Sequence, residues 1–214
     1  MKTVKSAIYI AAIILVAGCS GTAIISTWKA LDITPQKFNR IMVVAIGPDA
    51  NRTLREHMEE HLAGDLKDLG YNTSSAYNVY GPKEFENMTE TSTNDKLAKD
   101  GYDAVLTVVL LDKQRERYYV PARVVYSPYI TYQSRFWGYY RTMHTRIISP
   151  GYYASSTKYF WESNFYDLAS GKLLYSVQTE SFDPVSADKL AHEYGGKIVQ
   201  DMVKNSVLQK QATP

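Results

Sequence analysis

A lone cysteine constrains this chain more than any other residue. Cys19 is the only one in 214 residues, and it follows a charged start (Lys2, Lys5), an uncharged run from Ala7 to Val16 and the small residues Ala17 and Gly18. A charged start, a short apolar stretch and a small-residue cleavage site are the parts of a secretion signal. Cleavage is expected after Gly18, which puts a thiol at the first mature position, and Val16-Ala17-Gly18-Cys19 has the arrangement of a lipobox. The run from Ala7 to Val16 is too short for an uncleaved membrane helix, which takes about 20 apolar residues. Removing residues 1–18 leaves 196 residues, enough for one domain with a real core. With the only thiol given to the anchor, that domain has no disulfide and holds together by packing. Loss of Lys2 and Lys5 also leaves 22 basic and 22 acidic residues, a net charge of zero.

By resemblance to bacterial lipoproteins, Cys19 carries a diacylglyceryl group and an amide-linked acyl chain, so the lipid bilayer is its first expected partner. One myristoyl chain binds a membrane only marginally, at about 10⁴ M⁻¹, and each further buried CH₂ adds about 0.8 kcal/mol. Three chains therefore hold essentially permanently. Ser20, where an Asp would resemble a retention signal, implies a lipid-anchored protein of the outer membrane facing the periplasm. Residues 19–39 lack regular periodicity and read as a lipidated tether, with Trp28 packing on the domain. At about 3.3 Å per extended residue its reach is on the order of 60 Å.

The rest reads as α/β, with α+β as the alternative: one compact domain over residues 40–208 and a disordered tail at 209–214. Ile41 to Ile46 is an unbroken apolar run before Gly47-Pro48, the pattern of a strand buried on both faces. Thr53-Leu54-Arg55-Glu56 has the form of a capping box, and Leu54, Met58, Leu62, Leu66 and Leu69 follow at helical spacing before Gly70. Tyr71 to Tyr80 is at best a weak strand. Ser92-Thr93-Asn94-Asp95 opens a second helix ending at Gly101, and Tyr102 to Leu111 is a second apolar strand. From Thr157 the period becomes two: Tyr159, Trp161 and Phe165 share one face, and Leu173, Tyr175 and Val177 share another across a turn at Ala169-Ser170-Gly171. This predicts an antiparallel hairpin with Gly171 at positive φ. Asp183-Pro184 leads into a last helix with Leu190, Tyr194, Ile198 and Met202 at i+4 steps. Gly195-Gly196 within it predicts close approach to the sheet, since each Gly costs about 1 kcal/mol relative to Ala. The predicted order is a mixed sheet, β-α-β-α-β-(insertion)-β-β-α.

The insertion, residues 119–155, is the unusual part. From Arg117 to Trp161 there is no Asp or Glu, and the six cations leave the rest of the mature chain at −6. The same stretch holds 14 of the 27 aromatic residues. Its expected contact surface runs through Arg117, Tyr118, Tyr119, Arg123, Tyr126, Tyr129 and Tyr132 and continues through Arg135, Phe136, Trp137, Tyr139, Tyr140, Arg141 and Arg146. Guanidinium groups take phosphates or carboxylates, and aromatic rings lie along sugars or at a headgroup boundary. An envelope protein, peptidoglycan or anionic lipid headgroups suit that chemistry. Nucleic acid would too, but the compartment argues against it. A purely structural use remains open, in which the tyrosines cover the sheet edge and each other. A connection this long is more often functional or disordered than neutral, and both a projecting hairpin and an ordered loop fit it.

His57-Met58-Glu59-Glu60-His61 matches the H-x-x-E-H string of inverted zinc peptidases. His57 and His61 could reach one metal, with Glu60 as base. Helical geometry places His57 and Glu60 outside the apolar stripe and His61 at its border, which is a solvated face rather than a walled cleft. No metal or other cofactor is expected. His144 and His192 are isolated, no G-x-S-x-G surrounds a serine, and Gly47-Pro48-Asp49 is no phosphate loop.

The lipobox, Ser26-Thr27-Trp28, the run Ile41 to Ile46, the Tyr-rich insertion and the stretch from Trp161 to Ser176 (WESNFYDLASGKLLYS) together resemble a bacterial lipoprotein family with a domain of unknown function. That family implies no catalytic residues. More loosely, the element order is similar to the N-terminal α/β domain of the Tol translocation protein and to lipoprotein activators of peptidoglycan synthases. The function expected is a non-enzymatic binding or adaptor lipoprotein of the cell envelope. The alternative is an envelope hydrolase using a metal at His57/His61 or a spatially assembled triad.

Overall fold

A computed structural model describes residues 21–31, 37–47, 51–85, 88–121, 123–124, 148–149 and 152–211. The chain divides into two units, one of residues 1–113 and 159–214, the other Gln114–Lys158. Its strands are β1 (Thr22–Lys29), β2 (Ile41–Ile46), β3 (Thr73–Ser75), β4 (Ala104–Val120), β5 (Arg123–Val124), β6 (Ile148–Ser149), β7 (Tyr152–Asp167) and β8 (Lys172–Phe182). The helices are α1 (Arg52–Asp68), α2 (Ala76–Tyr80), α3 (Glu90–Lys99) and α4 (Ala187–Lys204). A six-stranded mixed sheet runs β1-β8-β7-β4-β2-β3. β2 pairs parallel with both β3 and β4, and β1 pairs antiparallel with β8. The expected α/β class and mixed sheet are what the molecule has.

In the first unit, β2 lies between β3 and β4 and is buried on both faces, as its apolar run dictates. Ile41, Val43 and Ala45 join Met58, Leu62 and Leu66 of α1, Leu190, Tyr194 and Ile198 of α4, and Trp161 and Phe165 of β7 in the main core. Met42 looks the other way, into a smaller cluster with Ala76, Leu97, Tyr102 and Val105. Each of the larger aliphatic side chains among them contributes about 1.5–3 kcal/mol against exposure. The period-two reading also holds, since Trp161, Ser163 and Phe165 are buried, as are Tyr175, Val177 and Thr179. Gly171 turns the hairpin at φ 65° and Gly70 ends α1 at φ 94°.

Five expectations need correction. The stretch 19–39 is not all tether, because Thr22–Lys29 forms the edge strand β1. The sequence hid it in two ways. Only Thr22 of β1 is buried, so no apolar alternation is required, and a register shift between Ile24 and Ser26 breaks the period. Trp28 is half exposed rather than packed away. At α1, the N-cap is Asn51 without a side-chain cap, so Thr53–Glu56 forms no capping box. The box occurs at α3, where Thr89 accepts from Ser92 N and the Ser92 side chain accepts from Thr89 N. Gly195 lets α4 approach α1, not the sheet: a methyl there would meet the Asp65 carboxylate and lie 3.4 Å from Leu62 N. At the C-terminus, Gln209 N donates to Tyr71 Oη and Gln211 N to Leu69 O, which ties the start of the expected tail to the domain. Residues 212–214 lie outside the described residues.

The second unit contains the far half of β4, the near half of β7 and the two-residue antiparallel ladder Arg123↔Ser149, Val124↔Ile148. That ladder gives the described base of the insertion the form of a hairpin. Tyr119 and Tyr153 place their rings 5.3 Å apart, and Lys158 Nζ lies 3.7 Å from Glu116 Oε1. Residues 125–147 lie outside the described residues, and with them Tyr126, Tyr129, Tyr132, Arg135, Phe136, Trp137, Tyr139, Tyr140, Arg141 and Arg146.

Candidate binding sites

The chain leaves β2 through α1 to β3 on one side, then crosses by α2 and α3 to β4 on the other. The carboxyl end of β2 is therefore a topological switch point, where open α/β sheets bind ligands. A cavity of about 540 Å³ opens there. Its walls are largely apolar, with Val44, Ile46, Phe85, Leu97, Val105 and Leu168, and Arg55, Thr93, Asn94 and Thr107 add polar groups. Its size falls in the range of small-molecule pockets. An apolar moiety carrying one polar or anionic group suits that lining chemically.

Glu59 lines the same cavity and is 4% exposed. Its Oε1 accepts from Ala45 N at 2.7 Å, and its Oε2 accepts from Ser75 Oγ at 2.7 Å and Tyr77 N at 2.6 Å. Burial pushes its pKa up, while the three donors and nearby Arg55 pull it down, with the net direction upward. With both oxygens engaged, this carboxyl clamps α1 to the end of β2 and the start of α2. Ser75 serves twice, since its Oγ also caps α2 by accepting from Asn78 N. A signal for Glu59 existed in the sequence: with Leu62, Ala63 and Leu66 it occupies one helical stripe, and a carboxylate on a core-facing stripe needs partners.

The H-x-x-E-H string has a different geometry from the one its spacing suggests. His61 Nε2 lies 2.8 Å from Asp188 Oδ1 and His57 Nδ1 lies 3.8 Å from the same oxygen. Because an ionised carboxylate only accepts, the closer contact requires a proton on His61 Nε2. Glu60 is exposed and accepts from Asn78 Nδ2 at 3.4 Å; the buried glutamate is its neighbour Glu59. His192 is not isolated, for its ring centroid lies 5.5 Å from that of His61. Asp65 is in the same seam between α1 and α4, its carboxyl pushed up by burial and pulled down by His192 and His61. Among the described residues no three His, Cys, Asp or Glu side chains are arranged to hold a metal ion. His144 lies outside the described residues.

In the second unit the expected contact surface is described only at its base. Tyr118, Tyr119, Tyr152 and Tyr153 are all at least half exposed, and Arg117 is exposed as well. Cys19 and Gly18 lie outside the described residues, as does the whole signal. Among the described residues no helix is long and apolar enough to cross a membrane.

No family model matches the chain, so the resemblance to the domain-of-unknown-function family gains no support there. No curated protein matches it in sequence either. Among solved structures the chain is similar to the PelC dodecamer from Paraburkholderia phytofirmans, with 8% identity, 89% of this chain and 99% of that one covered, and a TM-score of 0.47. It is also similar to lipoprotein GNA1162 from Neisseria meningitidis, with 18% identity, coverage of 78% and 99%, and a TM-score of 0.42. A third likeness is to a putative neuraminyllactose-binding hemagglutinin homolog from Helicobacter pylori, with 10% identity, coverage of 81% and 90%, and a TM-score of 0.39.

Proposed function

We propose that this chain is a lipid-anchored, non-enzymatic binding or adaptor protein of the bacterial envelope, held by an acylated Cys19 in the outer membrane. Its contact surface is the basic aromatic insertion, facing an envelope protein, peptidoglycan or anionic headgroups in the periplasm. The observation that carries this reading is the exposure of Tyr118, Tyr119, Tyr152 and Tyr153 in a stretch that carries six cations and no acid. Monomeric proteins rarely leave clustered aromatic surface in water without a use for it. Arg and Tyr are moreover the residues that dominate binding energy at interfaces.

The test is in-cell photocrosslinking from positions 119, 137 and 153, with position 79 as control. A discrete adduct captured from the first three and absent from the control is the expected outcome. A folded, acylated protein that gives no specific adduct from any of them overturns the insertion as contact surface. The hydrolase alternative is tested separately by turnover of peptidoglycan and phospholipid substrates. A rate abolished by Glu59→Gln or His61→Ala in a folded protein would replace the adaptor reading.

A further inference from the structure

The length of chain between anchor and domain decides how the domain meets its membrane. Gly21 already belongs to the fold: its N donates to Glu193 Oε2 at 2.9 Å and its O accepts from Phe182 N at 2.8 Å. One residue on, Thr22 pairs with Ser181 in the β1–β8 ladder, and their hydroxyls lie 2.8 Å apart in the interior. Only Ser20 separates Gly21 from Cys19. Two residue steps cover at most about 7 Å, so the acylated residue and the head of β1 are at nearly the same depth. A bilayer-anchored domain has no room to swing at that distance.

The corner of the fold beside Gly21 has the surface such a position needs. β8 ends there at Phe182, which is 38% exposed, and the turn into α4 presents Val185 at 84%. Ser186 and Lys189 follow at the start of α4, with Lys189 mostly exposed. Two apolar side chains beside hydroxyl and ammonium groups match the layering of a headgroup boundary. We propose that the corner formed by Gly21, Phe182 and Val185 rests on the lipid bilayer, with Phe182 and Val185 in the headgroup–acyl boundary. This rests on the anchoring reading above and deepens it, replacing a loosely tethered globule with a seated one.

Because acylation blocks the only native thiol, Val185→Cys creates a single labelling site in the full chain. The acylated protein, made in a bacterial host and reconstituted in phosphatidylethanolamine/phosphatidylglycerol vesicles, would carry the environment-sensitive fluorophore NBD at that site. Val79→Cys is the control. Val79 is half exposed on α2, beside β3 at the opposite edge of the sheet, and five strand spacings of about 4.8 Å separate the two edges. The expected result is a blue-shifted emission at 185, quenched by shallow nitroxide lipids, and no quenching at 79. Inserting about ten Gly/Ser residues between Ser20 and Gly21, roughly 18 Å of root-mean-square reach, should lower the quenching at 185 several-fold. Photolabelling of the otherwise unmodified protein by diazirine lipid gives an independent readout, with adducts expected in the peptide around 181–186. Acylated protein with no quenching at 185 and no adduct there overturns the seat and leaves the anchor standing. Mass spectrometry showing an unacylated amino terminus overturns both.

Discussion

Tyrosine is used in opposite ways in the two units. In the first, Tyr175 and Tyr194 are fully buried, and each hydroxyl has a partner: Tyr175 Oη donates to Asp201 Oδ2 at 2.7 Å, and Tyr194 Oη lies 2.8 Å from Ser163 Oγ. Burial pushes both phenols up, and the Asp201 carboxylate adds to the rise at Tyr175. In the second, Tyr118, Tyr119, Tyr152 and Tyr153 stand in water, with Tyr119 and Tyr153 facing each other. A buried ring is fixed by its neighbours and its hydroxyl by one acceptor or donor. An exposed ring leaves much of its apolar face in water. The same residue type thus marks a core in one unit and an exposed surface in the other.

Truncation should separate the two uses most sharply. Tyr194→Ala removes a wholly buried ring that packs on Trp161 at 5.7 Å between centroids, and should cost about 4 kcal/mol, within the range for buried aromatics. Tyr153→Ala should stay within about 0.5 kcal/mol, as exposed substitutions do. Urea unfolding of both variants checks this, and a similar loss at Tyr153 would show that the second unit's tyrosines are structural. Next in size is Glu59→Ala, which leaves Ala45 N, Tyr77 N and Ser75 Oγ without their acceptor. Orphaned buried donors cost about 1–3 kcal/mol each, but the carboxyl's own desolvation is relieved. A net loss of about 2–3 kcal/mol in the same assay is expected.

How much of this could be read in the sequence follows from where apolar pattern and burial coincide. Ile41–Ala45, the Met58–Leu62–Leu66 stripe, the Trp161–Phe165 and Tyr175–Val177 alternation and the apolar stripe of the final helix bury what they display, so period and hydropathy sufficed. β1 escaped because an edge strand is specified by its partner's free hydrogen bonds rather than by its own side chains, and a bulge removed the little periodicity it had. Gly195 was legible as a close approach but not as an approach to α1, because a glycine says that something is near and not what. The site was read least well. Spacing drew attention to His57, Glu60 and His61, whereas the buried carboxyl is Glu59. Its partners Ala45, Ser75 and Tyr77 come from β2, β3 and α2, so only the fold assembles them.

Smaller substitutions sharpen the tyrosine contrast. Tyr194→Phe keeps the ring and removes only the hydroxyl, leaving Ser163 Oγ without that partner. The expected cost is about 1 kcal/mol, the usual net worth of one such bond. Tyr153→Phe should be indistinguishable from the parent in the same urea titration, while losing adduct yield if its hydroxyl meets the partner.

The smallest expected effect lies at the α1–α4 seam, where an exposed ionic contact can be compared with the buried bonds just described. The hydrogen bond from His61 holds the Asp188 carboxyl below its ordinary value, and the charges of His61, His57 and His192 act in the same direction. A carboxyl lowered in the folded state contributes stability above its unfolded pKa, and that contribution disappears as pH falls through the folded value. Asp65 acts with the opposite sign: burial raises its carboxyl, so its contribution favours the fold below its unfolded pKa and is lost as pH rises through the folded value. Because Asp188 is mostly exposed, its contact is screened by water and salt, as surface pairs are. Asp188→Asn should therefore lower stability only slightly above about pH 4 and not at all once the carboxyl would be protonated, which flattens the acid limb of the stability–pH curve by that same small amount. Melting curves taken in steps of pH at low and high salt read this directly. A large loss at neutral pH would mean that the three histidines depend on Asp188 to hold the helices together.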